Sequence, residues 1–182
     1  MNIRIIKSVS VIGIFTFVSR LLGYLRDFIF AYVFGATVIA DSFLLAFRMP
    51  NFFRRLFAEG AINNAFIPLY LGIKKQGSQK KTDLFVGHFL SILFIFLILT
   101  TILCEFFMIN IISFLAPGFS EELLNKTVFL ASIMFPYLVF ISLSSLYGAL
   151  LNANNKYALW SFSPIILNFM MVLAMLLGFY TE

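Results

Sequence analysis

The sequence is poor in the residues that form disulfides and metal sites. Its 182 residues include one cysteine, Cys104, and one histidine, His88. A single cysteine excludes an intramolecular disulfide and a cysteine-based metal site. His88 stands at the start of an apolar run, where an interfacial or packing role is favoured over proton relay. We predict no catalytic residue, no metal site and no cofactor.

Charge is scarce as well. Charged residues make up 12% of the chain, hydrophobic residues make up 62%, and the mean hydropathy is +1.00. A soluble core cannot use so much apolar surface, so the composition indicates a polytopic helical membrane protein. The first apolar stretch contains Arg20 and lacks a small-residue cleavage site, so we interpret it as a membrane span and not as a signal peptide.

At roughly 20 residues for each span, the chain has room for about five transmembrane helices. We predict an all-α fold with one membrane domain over residues 1–182, whose spans cover residues 5–34, 36–73, 84–114, 128–151 and 158–179. The second region is too long for one straight span. Pro50 removes a backbone donor there, so we predict a broken helix with its break near Pro50. Pro136 is expected to kink the fourth span, and Pro164 is expected in the first turns of the fifth.

Lysines predict the orientation in the membrane. Four of them lie in the loop 74–81, and Lys156 follows the fourth span, whereas the loop before that span contains Glu121 and Glu122. Loops rich in Lys and Arg stay in the cytoplasm. We therefore predict a cytoplasmic N-terminus, cytoplasmic lysine loops and an outward-facing loop between the third and fourth spans.

Charged residues interrupt the apolar sequence between residues 20 and 59. They are Arg20, Arg26, Asp27, Asp41, Arg48, Arg54, Arg55 and Glu59. A charge near the bilayer centre costs at least ~2.5–3.5 kcal/mol on insertion scales, so such residues usually face a water-filled cavity or a buried partner. This region is predicted to bind or move a polar group within the membrane.

The arginines of this region outnumber its acids, so ion pairing cannot neutralise the set. Three pairs have spacings that place both members on one helix face: Arg20 with Asp27, Asp41 with Arg48, and Arg55 with Glu59. A guanidinium stays charged in an apolar setting and can hold a phosphate through two parallel hydrogen bonds. Alternatively, these arginines form buried ion pairs or extend to the lipid headgroups. For Arg48 and Arg55 both interpretations stay open.

This region contains two long motifs, SRLLGYLRD at 19–27 and FRMPNFFRRLFAEGA at 47–61. Both motifs resemble the start of the MurJ/MviN family. The resemblance extends over essentially the whole chain through shorter matches at 65–68, 116–119, 135–137, 148–152 and 164–168. This family comprises the bacterial lipid II flippases within the multidrug/oligosaccharidyl-lipid/polysaccharide exporter superfamily.

The resemblance implies a transporter and not an enzyme. Such a protein moves lipid II, the undecaprenyl-pyrophosphate-linked peptidoglycan precursor, from the cytoplasmic to the outer leaflet by alternating access. By this resemblance, the pyrophosphate is received by an arginine-lined cavity formed by Arg20, Arg26 and Arg54. The residues assigned to ion pairing and gating are Asp27, Asp41, Arg48, Arg55 and Glu59.

The resemblance also implies location and partners. The expected location is the bacterial cytoplasmic membrane, and the expected partners are lipid II, membrane lipids and other cell-wall synthesis proteins, without nucleic acid. The family has two lobes, whereas this chain ends after its fifth predicted span, within the N-terminal lobe. We therefore expect a fragment that needs the missing C-terminal part. The alternatives are a truncated product and one part of a split transporter.

Other functions remain as alternatives. A drug or polysaccharide exporter of the same superfamily is one, but a cationic drug would favour acids over arginines in the cavity. A membrane enzyme acting on polyprenyl phosphates would need acids arranged for Mg²⁺ or a base for nucleophilic attack, and the spans contain no acidic pair at metal-ligand spacing. A non-transporting scaffold explains the hydrophobicity but not the arginines.

The predicted orientation can be tested by single-cysteine labelling on a Cys104→Ser background. Because the loop 74–81 carries four lysines, we expect a cysteine at Ser78 to be protected from a membrane-impermeant reagent on intact cells. A cysteine at Ser120 should react. The reverse labelling pattern would show that the orientation is wrong.

Overall fold

The computed structural model describes residues 3–56, 62–156 and 161–181. All regular elements in these ranges are helices, which confirms the predicted all-α class. They are α1 (Ile3–Phe34), α2 (Val38–Arg54), α3 (Ile62–Lys75), α4 (Gln79–Phe106), α5 (Met108–Leu115), α6 (Glu121–Met134), α7 (Tyr137–Ala153) and α8 (Ser163–Thr181).

Local sequence signals fix several helix ends. The hydroxyl oxygens of Ser78 and Ser120 accept hydrogen bonds of 3.4 Å from the backbone N–H groups of Lys81 and Leu123, and so cap α4 and α6. A serine in this position satisfies a donor that has no partner within the helix. Gly35 follows α1 with a φ of +57°, a backbone angle that favours glycine.

Two compact units make up the fold, one comprising Met1–Thr37 with Leu151–Glu182 and the other comprising Val38–Leu150. In the first unit, α1 packs along α8, and the rings of Phe15 and Phe162 lie 5.8 Å apart. In the second unit, α6 packs against both α2 and α5, and α3 packs against α4.

The second hydrophobic region contains two helices, but the break predicted near Pro50 is wrong. α2 continues through Pro50 to Arg54, and Arg55 and Leu56 follow in a wider π-type turn. Pro50 is fully buried, and the side-chain amide of Asn51 donates a 2.9 Å hydrogen bond to the Phe47 carbonyl one turn back. Burial in protein packing of this kind lets a membrane helix tolerate a proline.

The third and fourth predicted spans are each divided. Phe107 separates α4 from α5. No proline or glycine at this position predicts the interruption. α6 and α7 meet at Phe135–Pro136 with a bend of 41°, which confirms the predicted kink at Pro136. Pro164 lies in the first turn of α8, as predicted.

The described helices support part of the predicted membrane topology. By length and composition, α4 can cross a membrane by itself, and the bent pair of α6 and α7 can do so jointly. The apolar part of α8, Ser163–Gly178, is shorter than these spans. The total of five spans and their orientation stay predictions.

Phe66 provides a test of the packing of α3 on α4. It is fully buried, and its ring centre lies 4.4 Å from that of Phe89 and 5.6 Å from that of Phe85. Because Phe66→Ala leaves a cavity, we expect a loss of about 3 kcal/mol or more in unfolding free energy, seen as a lower melting temperature of the purified protein. Phe114→Ala is the control, since Phe114 is 85% exposed. Equal melting temperatures for the two variants would contradict this packing.

Candidate functional site

The charged residues of the first two predicted spans differ in burial. Arg26 and Arg54 are half-buried. The exposed members are Arg20, Asp27, Asp41, Arg48 and Arg55. Glu59, and with it the predicted pair with Arg55, lies outside the described residues.

Arg26 on α1 is held first by its neighbour in the chain. Its Nε and Nη2 groups donate hydrogen bonds of 2.9 and 2.8 Å to Oδ1 of Asp27. The side chain of Arg26 is 24% exposed and that of Asp27 is 70% exposed, so the carboxylate lies on the outer side of the pair. Charge-assisted hydrogen bonds of this length are the stronger kind.

Asn168 on α8 provides the second partner of Arg26. Its Oδ1 accepts a 2.9 Å hydrogen bond from Arg26 Nη1, and its Nδ2 donates a 3.1 Å hydrogen bond to the Ser19 carbonyl. Ser19 and Arg26 are nearly two turns apart and therefore lie on one face of α1. Asn168 is only 8% exposed, so its amide is satisfied within the interface of α1 and α8.

The sequence pattern predicts no function for Asn168. The residue is the last position of the motif match at 164–168 and has no role assigned to it there. The available signal was an amide in the middle of the apolar sequence of α8, because a polar group in such a position needs a partner. The identity of that partner, 142 positions away in the sequence, could not be read from local spacing.

Two of the proposed same-face pairs do not form ion pairs in the described part of the chain. Asp27 bonds to the adjacent Arg26 and not to Arg20. Asp41 and Arg48 are both exposed on α2 and are not joined to each other by an ion pair. A separation of seven residues places the two backbones about 10 Å apart along the helix axis, which is farther than the i,i+4 spacing at which side chains meet.

Arg54 occupies the last turn of α2 beside the bend between α6 and α7. The preceding Phe53 packs edge-on against the ring of Phe135, with ring centres 5.4 Å apart. Arg54 is close enough to Tyr137 for an electrostatic interaction with the phenol. The half-buried guanidinium therefore lies near the proline-containing break of the fourth predicted span.

The three predicted cavity arginines are distributed over both units. Arg20 and Arg26 lie on α1 in the first unit, and Arg54 lies on α2 in the second. A cavity lined by all three therefore stays a prediction. Among the described residues, no three His, Cys, Asp or Glu side chains are placed to hold a metal ion.

The fold and these contacts define a class: an all-helical membrane protein in which a half-buried arginine is held by a carboxylate and an amide. The sequence profile of the family described as "Lipid II flippase MurJ" matches residues 30–181. The chain belongs to this family.

Individual relatives agree with the family match. The chain is 42% identical to the "Probable lipid II flippase MurJ" of Buchnera aphidicola subsp. Baizongia pistaciae over 93% of its own length and 34% of the relative's. It is 40% identical to the protein of that name from Rickettsia prowazekii over 97% of its own length and 35% of the relative's.

A solved structure agrees as well. The fold matches that of "Lipid II flippase MurJ, inward closed conformation" with a TM-score of 0.79 and 32% sequence identity, covering 92% of this chain and 35% of that one. The chain thus spans about a third of the length of the relatives that it matches.

Gly23 on α1 allows a test of the contact between α1 and α8. A Cβ atom built at Gly23 would lie 3.6 Å from Asn168 Nδ2, an ordinary contact, so we expect Gly23→Ala to fold normally. The longer side chain of Gly23→Leu would displace the amide and should lower the melting temperature of the purified protein. Gly13→Leu on the same helix is the control, because a Cβ there meets nothing within 4 Å. A normal melting temperature for Gly23→Leu would show that α8 does not pack closely at this position.

Proposed function

We propose that this protein takes part in moving lipid II from the cytoplasmic to the outer leaflet of the bacterial cytoplasmic membrane. In this proposal the described helices contribute to one lobe of an alternating-access transporter, with the N-terminus in the cytoplasm. Membership of the MurJ family supports the substrate class. The observation that carries the chemistry is the placement of Arg26, half-buried and held by two partners.

Arg26 retains hydrogen-bond donors for a ligand. Each Nη nitrogen of a guanidinium has two N–H groups, and in the described part of the chain Nη1 donates one hydrogen bond to Asn168 and Nη2 donates one to Asp27. One N–H therefore remains on each. These remaining N–H groups can donate to phosphate oxygens, the ligands for which arginine is well suited.

Arg20 provides a positive charge that no carboxylate among the described residues offsets. The carboxylate of Asp27 offsets the charge of Arg26, whereas Arg20 is exposed and forms no ion pair within the described residues. An unneutralised guanidinium in a membrane span favours an anion nearby. In the proposed cavity, Arg20 contributes the attractive field and Arg26 contributes a fixed hydrogen-bonding geometry.

Arg54 is the third arginine of the proposed phosphate site. Its position at the end of α2, beside the bend at Pro136, suits a residue whose placement changes during transport, since broken helices are where transporter helices line cavities. The gating and ion-pairing roles are proposed for Asp27, Asp41, Arg48, Arg55 and Glu59. Rocking of one lobe against the other requires the second lobe of the complete transporter.

Conservative substitutions test the phosphate site. In the full-length protein, we expect Arg→Lys at position 20, 26 or 54 to fail nearly as badly as Arg→Ala, because lysine keeps the charge but loses the planar fork. The assay is growth of cells depleted of their own flippase, with protein abundance measured in parallel.

Lys126→Ala is the control in the same assay. It removes a basic residue that has its own carboxylate partner, Glu122 at 2.6 Å on α6, so growth should be normal. Normal growth of all three Arg→Lys variants at wild-type abundance would reject bidentate phosphate binding. A diffuse positive field would then suffice.

A further inference from the structure

We propose that Asn168 is a positioning residue for Arg26: it fixes the plane of the guanidinium so that the remaining N–H groups face the lipid-linked pyrophosphate. This inference rests on the proposed function and deepens it. Asn168 itself is not assigned a contact with the substrate. Its effect on binding is expected to pass through Arg26.

The contacts of the Asn168 amide determine its orientation. Its Oδ1 accepts from Arg26 Nη1 at 2.9 Å, and its Nδ2 donates to the Ser19 carbonyl at 3.1 Å. A flipped amide would direct an N–H group at the guanidinium and an oxygen at a carbonyl, and would lose both hydrogen bonds. The bond to the α1 backbone therefore determines which atom Asn168 offers to Arg26.

Arg26 needs this second contact because its first one lies on the outer side. Asp27 is 70% exposed and holds Nε and Nη2 through one oxygen, which leaves the guanidinium free to tilt with the carboxylate. Asn168 is 8% exposed and holds Nη1 from the opposite helix. Because the two partners bind different nitrogens, they fix the plane of the guanidinium. The entropy lost in ordering this group is therefore lost before a ligand binds.

A neutral amide suits this role better than an acid. A carboxylate at position 168 would also accept from Nη1, but together with Asp27 it would place two negative charges beside Arg26 and repel an anion. The amide orients the guanidinium without reducing its charge. This difference separates positioning from simple packing, because Asn168→Asp preserves the size of the side chain and Asn168→Ala does not.

Binding measurements on the full-length protein in lipid nanodiscs test this inference, with labelled lipid II as the probe. We expect Asn168→Ala to weaken binding about tenfold, in line with the loss of a hydrogen bond to a charged group. Asn168→Asp should weaken it further, although it fills the space better. Val172→Ala is the packing control: Val172 is one turn along α8, is also 8% exposed and offers no polar atom, so its affinity should stay within about threefold of wild type.

A double-mutant cycle with Arg26→Lys provides the second readout. If Asn168 acts through Arg26, adding Asn168→Ala to Arg26→Lys should cause little further loss of affinity. A full additional loss in the double variant, or milder binding loss for Asn168→Asp than for Asn168→Ala, would assign Asn168 a structural role and overturn the inference. If Asn168→Ala does not accumulate, Asn168→Asp and Asn168→Gln replace it in the cycle.

The same experiment separates this inference from the proposed function. Wild-type affinity of both Asn168 variants, together with weak binding by Arg26→Lys, would overturn the positioning role and leave the phosphate site intact. Wild-type affinity of Arg26→Lys and Arg26→Ala would reject Arg26 as a phosphate ligand, and with it the role of Asn168.

Discussion

The need of a guanidinium for hydrogen-bond acceptors in apolar surroundings is the constraint on which the pairing of α1 with α8 depends. Arginine cannot lose its proton there, so it must find acceptors. Arg26 takes one from its own helix, Asp27, and one from a distant helix, Asn168. The second contact joins positions 142 apart in the sequence, and it lies in the interface that unites α1 with α8 in one compact unit. This polar contact therefore helps to hold the unit together.

A small residue lies in that interface. Gly23 lies between Ser19 and Arg26 on α1, and a Cβ atom there would lie 3.6 Å from Asn168 Nδ2, so the site has room for alanine. In lipid, helices gain little from hydrophobic contact with each other, so close approach and interhelical hydrogen bonds hold them together. The motif at 19–27 carries the family resemblance. It thus contains the charged Arg26, Gly23 in contact with α8, and the Ser19 carbonyl that accepts from Asn168.

Much of the fold was predictable because it follows from local rules. Apolar runs predicted the helices, and the lost backbone donor of Pro136 predicted the bend between α6 and α7. The same rule failed at Pro50, which is fully buried and lies inside a continuous α2. The division at Phe107 has no local signal, and the contact of Asn168 with Arg26 depends on tertiary packing. Spacing along one helix predicted only a shared face for Arg20 and Asp27, and the partner of Asp27 is the adjacent Arg26.

A transporter must release its substrate as well as bind it, and this requirement limits what Arg26 can do alone. Its two partners belong to the same compact unit, so both can stay in contact with it while that unit moves as a body. The hydrogen-bonding geometry of Arg26 then stays the same during such a movement. A rigid-body movement cannot change the affinity of such a site unless other charges approach or withdraw.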